Sequence, residues 1–187
     1  MATTTDRDVI DEVIDDHAQI KRLFAEVESA TGTGKRDAFE ALMRKLVVHE
    51  TAEQEVVHPL TRAAHAEGVV DERLSEEKEG ERMLAELAGI GPDDAGFDAT
   101  FTKLKEDVLQ HARMEEQHEH PKIRAEIEES RLRQLATAFR AAETAAPTRP
   151  HPHGPTSATG NMAVGPIVAI MDRARDAIRD AMRKISA

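Results

Sequence analysis

Apolar residues recur at helical spacing in four long stretches of the sequence, and the first three end at glycine-containing turn signals. The stretches cover approximately residues 7–30, 35–67, 70–88 and 96–139, and the last continues past Pro121. None of them has the two-residue alternation that is typical of a strand. Four amphipathic segments joined by short turns predict an all-α protein, specifically an up-down-up-down four-helix bundle.

The composition of the chain changes after residue 146. Residues 147–166 are rich in proline and glycine, which is typical of a linker without a core of its own. Residues 167–187 regain a helical period, with isoleucine and methionine on one side and arginine and aspartate on the other. We therefore predict a bundle over residues 1–146, a linker over 147–166 and an amphipathic helix over 167–187. That helix would dock either on its own bundle or on a second subunit.

Charge and missing residue types exclude several classes of function. The 187 residues carry a formal net charge of −11 and include no cysteine, tryptophan or tyrosine. Without cysteine there are no disulfides, thiolate catalysis or iron–sulfur clusters. An acidic chain repels phosphate groups, so we expect neither nucleic acid nor a membrane as a partner. Because no apolar run approaches ~20 residues and the N-terminus lacks the pattern of a secretory signal, we expect a cytoplasmic protein.

Ionisable side chains occupy positions in the apolar stripes where the helical period calls for a core residue. They are His17 in the first stretch, His49 and Glu53 in the second, Glu77 in the third, and His111 and Glu115 in the fourth. Burying such groups without a compensating partner is costly. In antiparallel helices with a rise of ~1.5 Å per residue, His17 and His49 lie at the same depth, and the same arithmetic pairs Glu77 with His111. All six side chains can therefore meet in one layer of the core.

An internal repeat supports a metal site in that layer. The motif His49-x-x-x-Glu53-x-x-x-x-His58-Pro59 recurs as His111-x-x-x-Glu115-x-x-x-x-His120-Pro121. Residues four apart on a helix share a face, so each histidine and glutamate form a two-pronged nitrogen–oxygen chelate. Two chelates together with His17 and Glu77 predict a pocket for two cations. Imidazole and carboxylate ligands without thiolate suit iron or manganese, and zinc less selectively.

Several neighbouring residues are open to two interpretations. Glu50 either hydrogen-bonds a ligand imidazole or is simply exposed. Glu116 and His118 are candidates for supporting the ligands or moving protons, although a histidine at the edge of the core is the simpler interpretation of His118. We expect His58 and His120 to face solvent beside their prolines, each of which removes one backbone hydrogen bond and can kink its helix.

With these residues the sequence resembles the hemerythrin-like, or HHE cation-binding, family, including its mycobacterial-type members, over roughly residues 6–143. The match rests on His17, on His49-Glu50-x-x-Glu53 and on His111-x-x-x-Glu115-Glu116. The third helix departs from the family pattern. Where the family has a histidine, this chain reads Ser75-Glu76-Glu77-Lys78, with Glu77 at the position of that histidine.

The resemblance implies an oxo-bridged pair of iron ions that meets oxygen, hydrogen peroxide or nitric oxide. Six protein ligands cannot fill two octahedra, which leaves an open position for a small molecule. Because extra negative charge from the third helix favours the oxidised metal, we expect a catalase-like or other redox role rather than oxygen storage. The alternatives are a module that senses iron, oxygen or nitric oxide without turnover, and a helical interaction protein without a metal.

Overall fold

The computed structural model describes residues 7–64 and 68–149, and all regular structure in these residues is helical. The helices are α1 (Val9–Ser29), α2 (Gly32–Ala52), the π turn π1 (Glu53–Val57), α3 (His58–Ala64), α4 (Val69–Ile90), α5 (Phe97–Met114), the π turn π2 (Glu115–Glu119), α6 (His120–Glu126) and α7 (Glu129–Ala145). The predicted all-α class is confirmed. The predicted linker from residue 150 onward and the C-terminal helix lie outside the described residues.

Local signals in the sequence explain where the helices begin and end. At the start of α1 the Asp8 side chain accepts the Asp11 amide N–H, and the Asp11 side chain accepts the Asp8 amide N–H in return. Such a reciprocal cap satisfies two amide groups that the first helical turn leaves without partners. Gly68 and Gly91, at the two ends of α4, have φ angles of 102° and 76°, which glycine adopts without steric cost.

Four rods form the bundle: α1, α2 continued by α3, α4, and α5 continued by α6. The α1 rod packs against α2 and α5, and α4 packs against α5, α2 and α3. Each rod therefore contributes one face to a shared core. Among the described helices, none is both long enough and apolar enough to span a bilayer.

The fourth helix is shorter than predicted, because the chain turns between α6 and α7. Ile127 and Glu128 have extended ψ angles of 133° and 136°, and α7 then packs against α1 and α2. Ile127 and Leu132, on either side of the turn, are buried in the same cluster. The apolar period thus continues through the turn, which contains neither glycine nor proline, and no residue in it signals that the helix has ended.

The core is divided into two apolar halves. One half contains Val9, Ile10, Val13, Ala52, Val56, Val57, Leu60, Ile123, Ile127, Leu132, Leu135, Ala138, Phe139 and Ala142. The other half contains Ile20, Phe24, Val27, Phe39, Leu42, Met43, Leu46, Met83, Leu84, Leu87, Phe97, Phe101 and Leu104. Along α1 the two halves are separated between Val13 and Ile20, which is where His17 lies.

Candidate metal centre

The six predicted ligands are all buried between the two apolar halves, and all four rods contribute to them. They are His17 from α1, His49 from α2, Glu53 from π1, Glu77 from α4, His111 from α5 and Glu115 from π2. The Glu53 side chain is fully buried. The helical period therefore identified a polar layer that the fold brings together.

Three overlapping groups of side chains in this layer can each hold a metal ion. The groups are His17, His49 and Glu53; Glu50, Glu77 and His111; and Glu53, His111 and Glu115. In each group one donor atom per residue lies within 4.8 Å of the others. Because Glu53 and His111 are each shared by two groups, the donors form one connected cluster, as a site for two neighbouring cations requires.

The two chelate glutamates lie between imidazoles. The Nε2 atom of His17 is 3.4 Å from Glu115 Oε2 and 4.0 Å from Glu53 Oε1. The second oxygen of each glutamate faces another imidazole: Glu53 Oε2 lies 3.4 Å from His49 Nε2, and Glu115 Oε1 lies 3.3 Å from His111 Nε2. Each carboxylate thus spans two nitrogen donors, which is the placement expected of a carboxylate that bridges two ions.

A carboxylate also orients each of the three imidazoles through its other nitrogen. The Nδ1 atoms lie 2.8 Å from Glu116 Oε1 for His17, 3.2 Å from Asp16 Oδ2 for His49, and 2.9 Å from Glu76 Oε2 for His111. A proton on Nδ1 that is donated to a carboxylate leaves Nε2 free to bind a cation. The supporting position predicted for Glu116 matches this geometry, whereas the roles of Asp16 and Glu76 were not predicted.

Buried polar atoms without a hydrogen bond show that the donor set fits a metal. Among the predicted ligands these atoms are His17 Nε2, both Glu53 oxygens, Glu77 Oε1, His111 Nε2 and Glu115 Oε2. Buried polar side-chain atoms in native proteins nearly always have a partner. All of these atoms lie in one layer, and cations there would give each of them a partner.

The bundle matches a known protein family. The family model described as "Hemerythrin HHE cation binding domain" matches residues 8–123, which is more than half of the chain. The chain belongs to the hemerythrin HHE family. The matched residues include all six predicted ligands.

Relatives of this HHE protein differ in how much of their length it matches. A protein named "DNA nickase" from Nostoc sp. is 29% identical over 140 residues, which are 74% of this chain but 40% of that protein. The chain thus spans about two fifths of that relative. An uncharacterized hemerythrin-like protein of Schizosaccharomyces pombe is 23% identical over 175 residues, covering 90% of this chain and 85% of that protein.

A solved structure has the same fold. The crystal structure of an HHE cation binding domain-containing protein from Mycobacterium kansasii superimposes with a TM-score of 0.65 at 19% sequence identity. The superposition covers 74% of this chain and 86% of that one. At this identity the likeness concerns the fold alone.

Two of the three additional residues proposed from the sequence belong to the donor groups of this HHE protein or contact them. Glu50 joins Glu77 and His111 as a possible metal donor, and its Oε2 atom is buried without a hydrogen bond. The sequence suggested that Glu50 either hydrogen-bonds an imidazole or is exposed; the structure makes it a possible metal donor instead. Glu116 supports His17 through the Nδ1 contact. His118 is exposed on π2 and belongs to none of the donor groups.

The prediction that His58 and His120 face solvent is wrong. They are 5% and 3% exposed. The His58 amide N–H donates to the Glu53 carbonyl and the His120 N–H to the Glu115 carbonyl, five residues back. In an α-helix five residues rotate a side chain by ~140° away from its starting face, whereas a π turn closes in five residues. Each π turn therefore brings the histidine back to the side of the chelate glutamate.

The electrostatics of the metal-free layer favour protons on its donors. Burial and the neighbouring Glu115 carboxylate raise the pKa of Glu53 well above its usual range, and burial next to Glu77 raises the pKa of Glu50 to about 8. Although burial opposes the charge, the carboxylates of Glu115 and Glu116 raise the pKa of His17 to about 9. Protons thus neutralise part of the negative charge that metal cations would otherwise neutralise.

Glu115 and His111 form the ionised pair in this layer. Burial disfavours both charges, but contact with the carboxylate of Glu115 raises the pKa of His111 well above its ordinary value. The reciprocal contacts with His111 and His17 lower the pKa of Glu115 well below its usual range. Glu115 therefore carries a negative charge before any metal binds.

Proposed function

We propose that this HHE protein binds two iron ions and uses them in redox chemistry with oxygen or hydrogen peroxide, with a catalase-like reaction as its simplest form. The observation that carries the proposal is a cavity of about 10 Å³ lined by His17, His49, Glu50 and His111. These four residues come from two of the donor groups. The cavity therefore lies where both ions would be accessible to one small molecule.

The donor groups indicate which residues would hold the ions. One ion would be held by His17, His49 and Glu53, and the other by Glu50, Glu77 and His111, with Glu115 between them. A pair of neighbouring iron ions would supply a two-electron couple: reduction of one peroxide to water uses two electrons, and oxidation of a second peroxide to oxygen returns them. Manganese and zinc also accept these ligand types, but a redox cycle requires a metal that changes its oxidation state, which excludes zinc.

The lining of the cavity selects small, uncharged molecules. Ile20, Val108, Leu109 and Ala112 complete its wall beside the imidazoles. A volume of ~10 Å³ is about that of one water-sized sphere, so substrates larger than a few atoms are excluded. Apolar walls also disfavour anions. Oxygen, hydrogen peroxide and nitric oxide all satisfy these conditions.

The chain's own residues supply the remaining functions in such a reaction. Glu116, Asp16 and Glu76 hold the imidazoles in place through Nδ1, so the metal ligands need not rearrange during turnover. Glu116 is also partly exposed. It therefore connects the buried His17 to solvent and is the residue through which a proton would enter or leave.

A second candidate is a module that senses iron, oxygen or nitric oxide without turnover. It is favoured by a chain of contacts from the site to α7: Asp16 accepts from His49, Lys45 Nζ lies 2.5 Å from Asp16 Oδ1, and the same Nζ lies 2.8 Å from Glu143 Oε1. A change of metal charge at His49 would reach α7 through these groups. The net charge of −11 argues against nucleic acid as a partner, although one relative is named a nickase.

Oxygen evolution from added peroxide tests the proposal. Iron-loaded protein, freed of loose iron by a chelator wash, should release oxygen in an electrode cell and show an oxo-to-iron absorption band that changes on peroxide addition. Glu115→Ala should lose both signals, and His118→Ala should keep them because His118 lies outside the donor groups. Iron-loaded protein that evolves no oxygen and shows no spectral change would overturn the redox role. A protein that carries stoichiometric zinc without that band would also contradict it.

A further inference from the structure

The repeat places two additional imidazoles in the core that the six predicted ligands do not include. His58 and His120 are both buried, and neither ring nitrogen of either residue has a hydrogen bond. Native proteins seldom leave a buried imidazole without any partner. Because the two residues occupy equivalent positions in the repeat, one explanation should account for both.

His58 lies at the end of the layer that has only one other imidazole. Its Nε2 atom is 2.9 Å from Glu77 Oε1, yet neither atom makes a hydrogen bond. The other Glu77 oxygen accepts a hydrogen bond from Gln54 Nε2 at 2.7 Å. Two neighbouring ligands of one octahedral ion, each about 2.1 Å from it, are about 3.0 Å apart. The distance between His58 and Glu77 is therefore that of two donors that face a common cation.

His120 lies at the opposite end of the layer. Its ring is nearly parallel to that of His17, with an interplanar angle of 14° and 6.1 Å between ring centroids. The His17 ring is in turn 5.0 Å from that of His49. The π turns thus place His58 against Glu77, which belongs to the donor group of His111, and His120 beside the ring of His17, which belongs to the donor group of His49.

We propose that His58 and His120 are metal ligands: His58 binds the ion held by Glu50, Glu77 and His111, and His120 binds the ion held by His17, His49 and Glu53. This inference rests on the proposed binding of two metal ions. Glu77 stands where the family resemblance places a histidine, and His58, which touches Glu77, supplies an imidazole at that place from α3. His58 lies on the rod of the His49 chelate but would bind the ion of His111. His120 lies on the rod of the His111 chelate but would bind the ion of His49.

Metal binding by the metal-free chain, with cobalt(II) as the probe, tests the proposal. The wild-type chain should bind two cobalt ions, and X-ray absorption should count about five imidazoles shared between them. His58→Phe and His120→Phe keep the aromatic volume but remove the donors. Each variant should lower the affinity for one of the two ions at least about tenfold, as measured against a competing chelator. Each should also reduce the number of bound imidazoles by about one.

The matched control is His118→Phe, which changes an exposed histidine in the adjacent π turn and should leave both affinities and the count unchanged. The glutamine amide of His58→Gln can donate a hydrogen bond to Glu77 but is a poor metal ligand, so this variant should lose as much affinity as His58→Phe. Recovery by glutamine would show that His58 only positions Glu77. A wild-type count of three imidazoles would overturn the inference without any variant, and this holds even if the phenylalanine variants do not fold. Failure of the wild type to bind cobalt would instead contradict the proposed metal binding itself.

Discussion

Glu115 links two imidazoles of the layer. Its two oxygens lie next to His17 and His111, and these contacts lower its pKa well below the usual range, so it stays ionised without metal. We expect Glu115→Ala to lose bound metal and to lower the melting temperature of the purified protein, because two buried imidazoles each lose the carboxylate that faces their Nε2 atom. His49→Ala should do the same at the other chelate. Elemental analysis and thermal melting measure both effects, and a full metal complement in both variants would show that the ligand assignment is wrong.

Proton release is a second prediction at the residue scale. In the metal-free protein, the pKa of His17 is raised to about 9 and that of Glu50 to about 8, so both groups hold a proton at neutral pH, and the pKa values of Glu53 and His111 are raised in the same direction. A donor must lose its proton to bind a cation, so metal binding near pH 7 should release at least about two protons per chain. Affinity should rise with pH up to about 9, the pKa of His17, and fall as the pH decreases. Calorimetry in buffers of different ionisation enthalpy measures the number. Release of one proton or none would contradict these protonation states.

The sequence predicted that six ionisable side chains meet in the core, because each of them interrupts an apolar stripe on its own helix. It did not predict Asp16 or Glu76, each of which directly precedes a predicted ligand and lies ~100° around the helix from it. Such a residue reaches an imidazole only because the next helix packs beside it. That contact is a property of the packed bundle, and the period of a single helix does not contain it.

At the scale of secondary structure, the two π turns determine which side chains enter the layer. The helical period assumes 3.6 residues per turn, so it assigned His58 and His120 to the solvent side. The signal that could have corrected this prediction is the proline after each histidine. Pro59 and Pro121 lack the amide N–H that a continuous helical ladder requires, so the hydrogen-bond pattern must change nearby.

Helix α7 covers one side of the site, and its Phe139 ring lies 6.4 Å from the His49 ring in an edge-on arrangement. We expect Phe139→Ala to cost about 3–5 kcal/mol of stability and to admit water to His49. A competing chelator should then extract metal from the Phe139→Ala variant faster than from the wild type.

Leu135→Ala is the matched control for Phe139→Ala. Leu135 is fully buried in the same helix and the same apolar half. Its truncation should cost a comparable amount of stability, about 2–5 kcal/mol. If α7 protects His49 directly, only the Phe139 variant should speed metal extraction after correction for stability. Equal extraction rates for the two variants would show that α7 acts through general stability alone.

At the scale of the whole molecule, two apolar halves enclose a polar layer in which several buried donor atoms have no hydrogen bond. Ions at 100 times their dissociation constant would stabilise the fold by about 2.7 kcal/mol per site. Removing them should lower the melting temperature by roughly 5–10 °C per site, since each kcal/mol corresponds to about 2–4 °C for a chain of this size. Calorimetric scans before and after chelation, and again after metal is restored, measure the effect. An unchanged melting temperature would mean that the layer is stable without cations.

The central claim is that donors from four helical rods converge because a pair of cations neutralises them. Elemental analysis combined with a Mössbauer spectrum of the full-length chain, loaded with the Mössbauer-active isotope of iron, tests this claim most directly. We expect two irons per chain that are magnetically coupled through shared ligands, because Glu53 and Glu115 would lie between them. One iron per chain, or two irons without magnetic coupling, would contradict it.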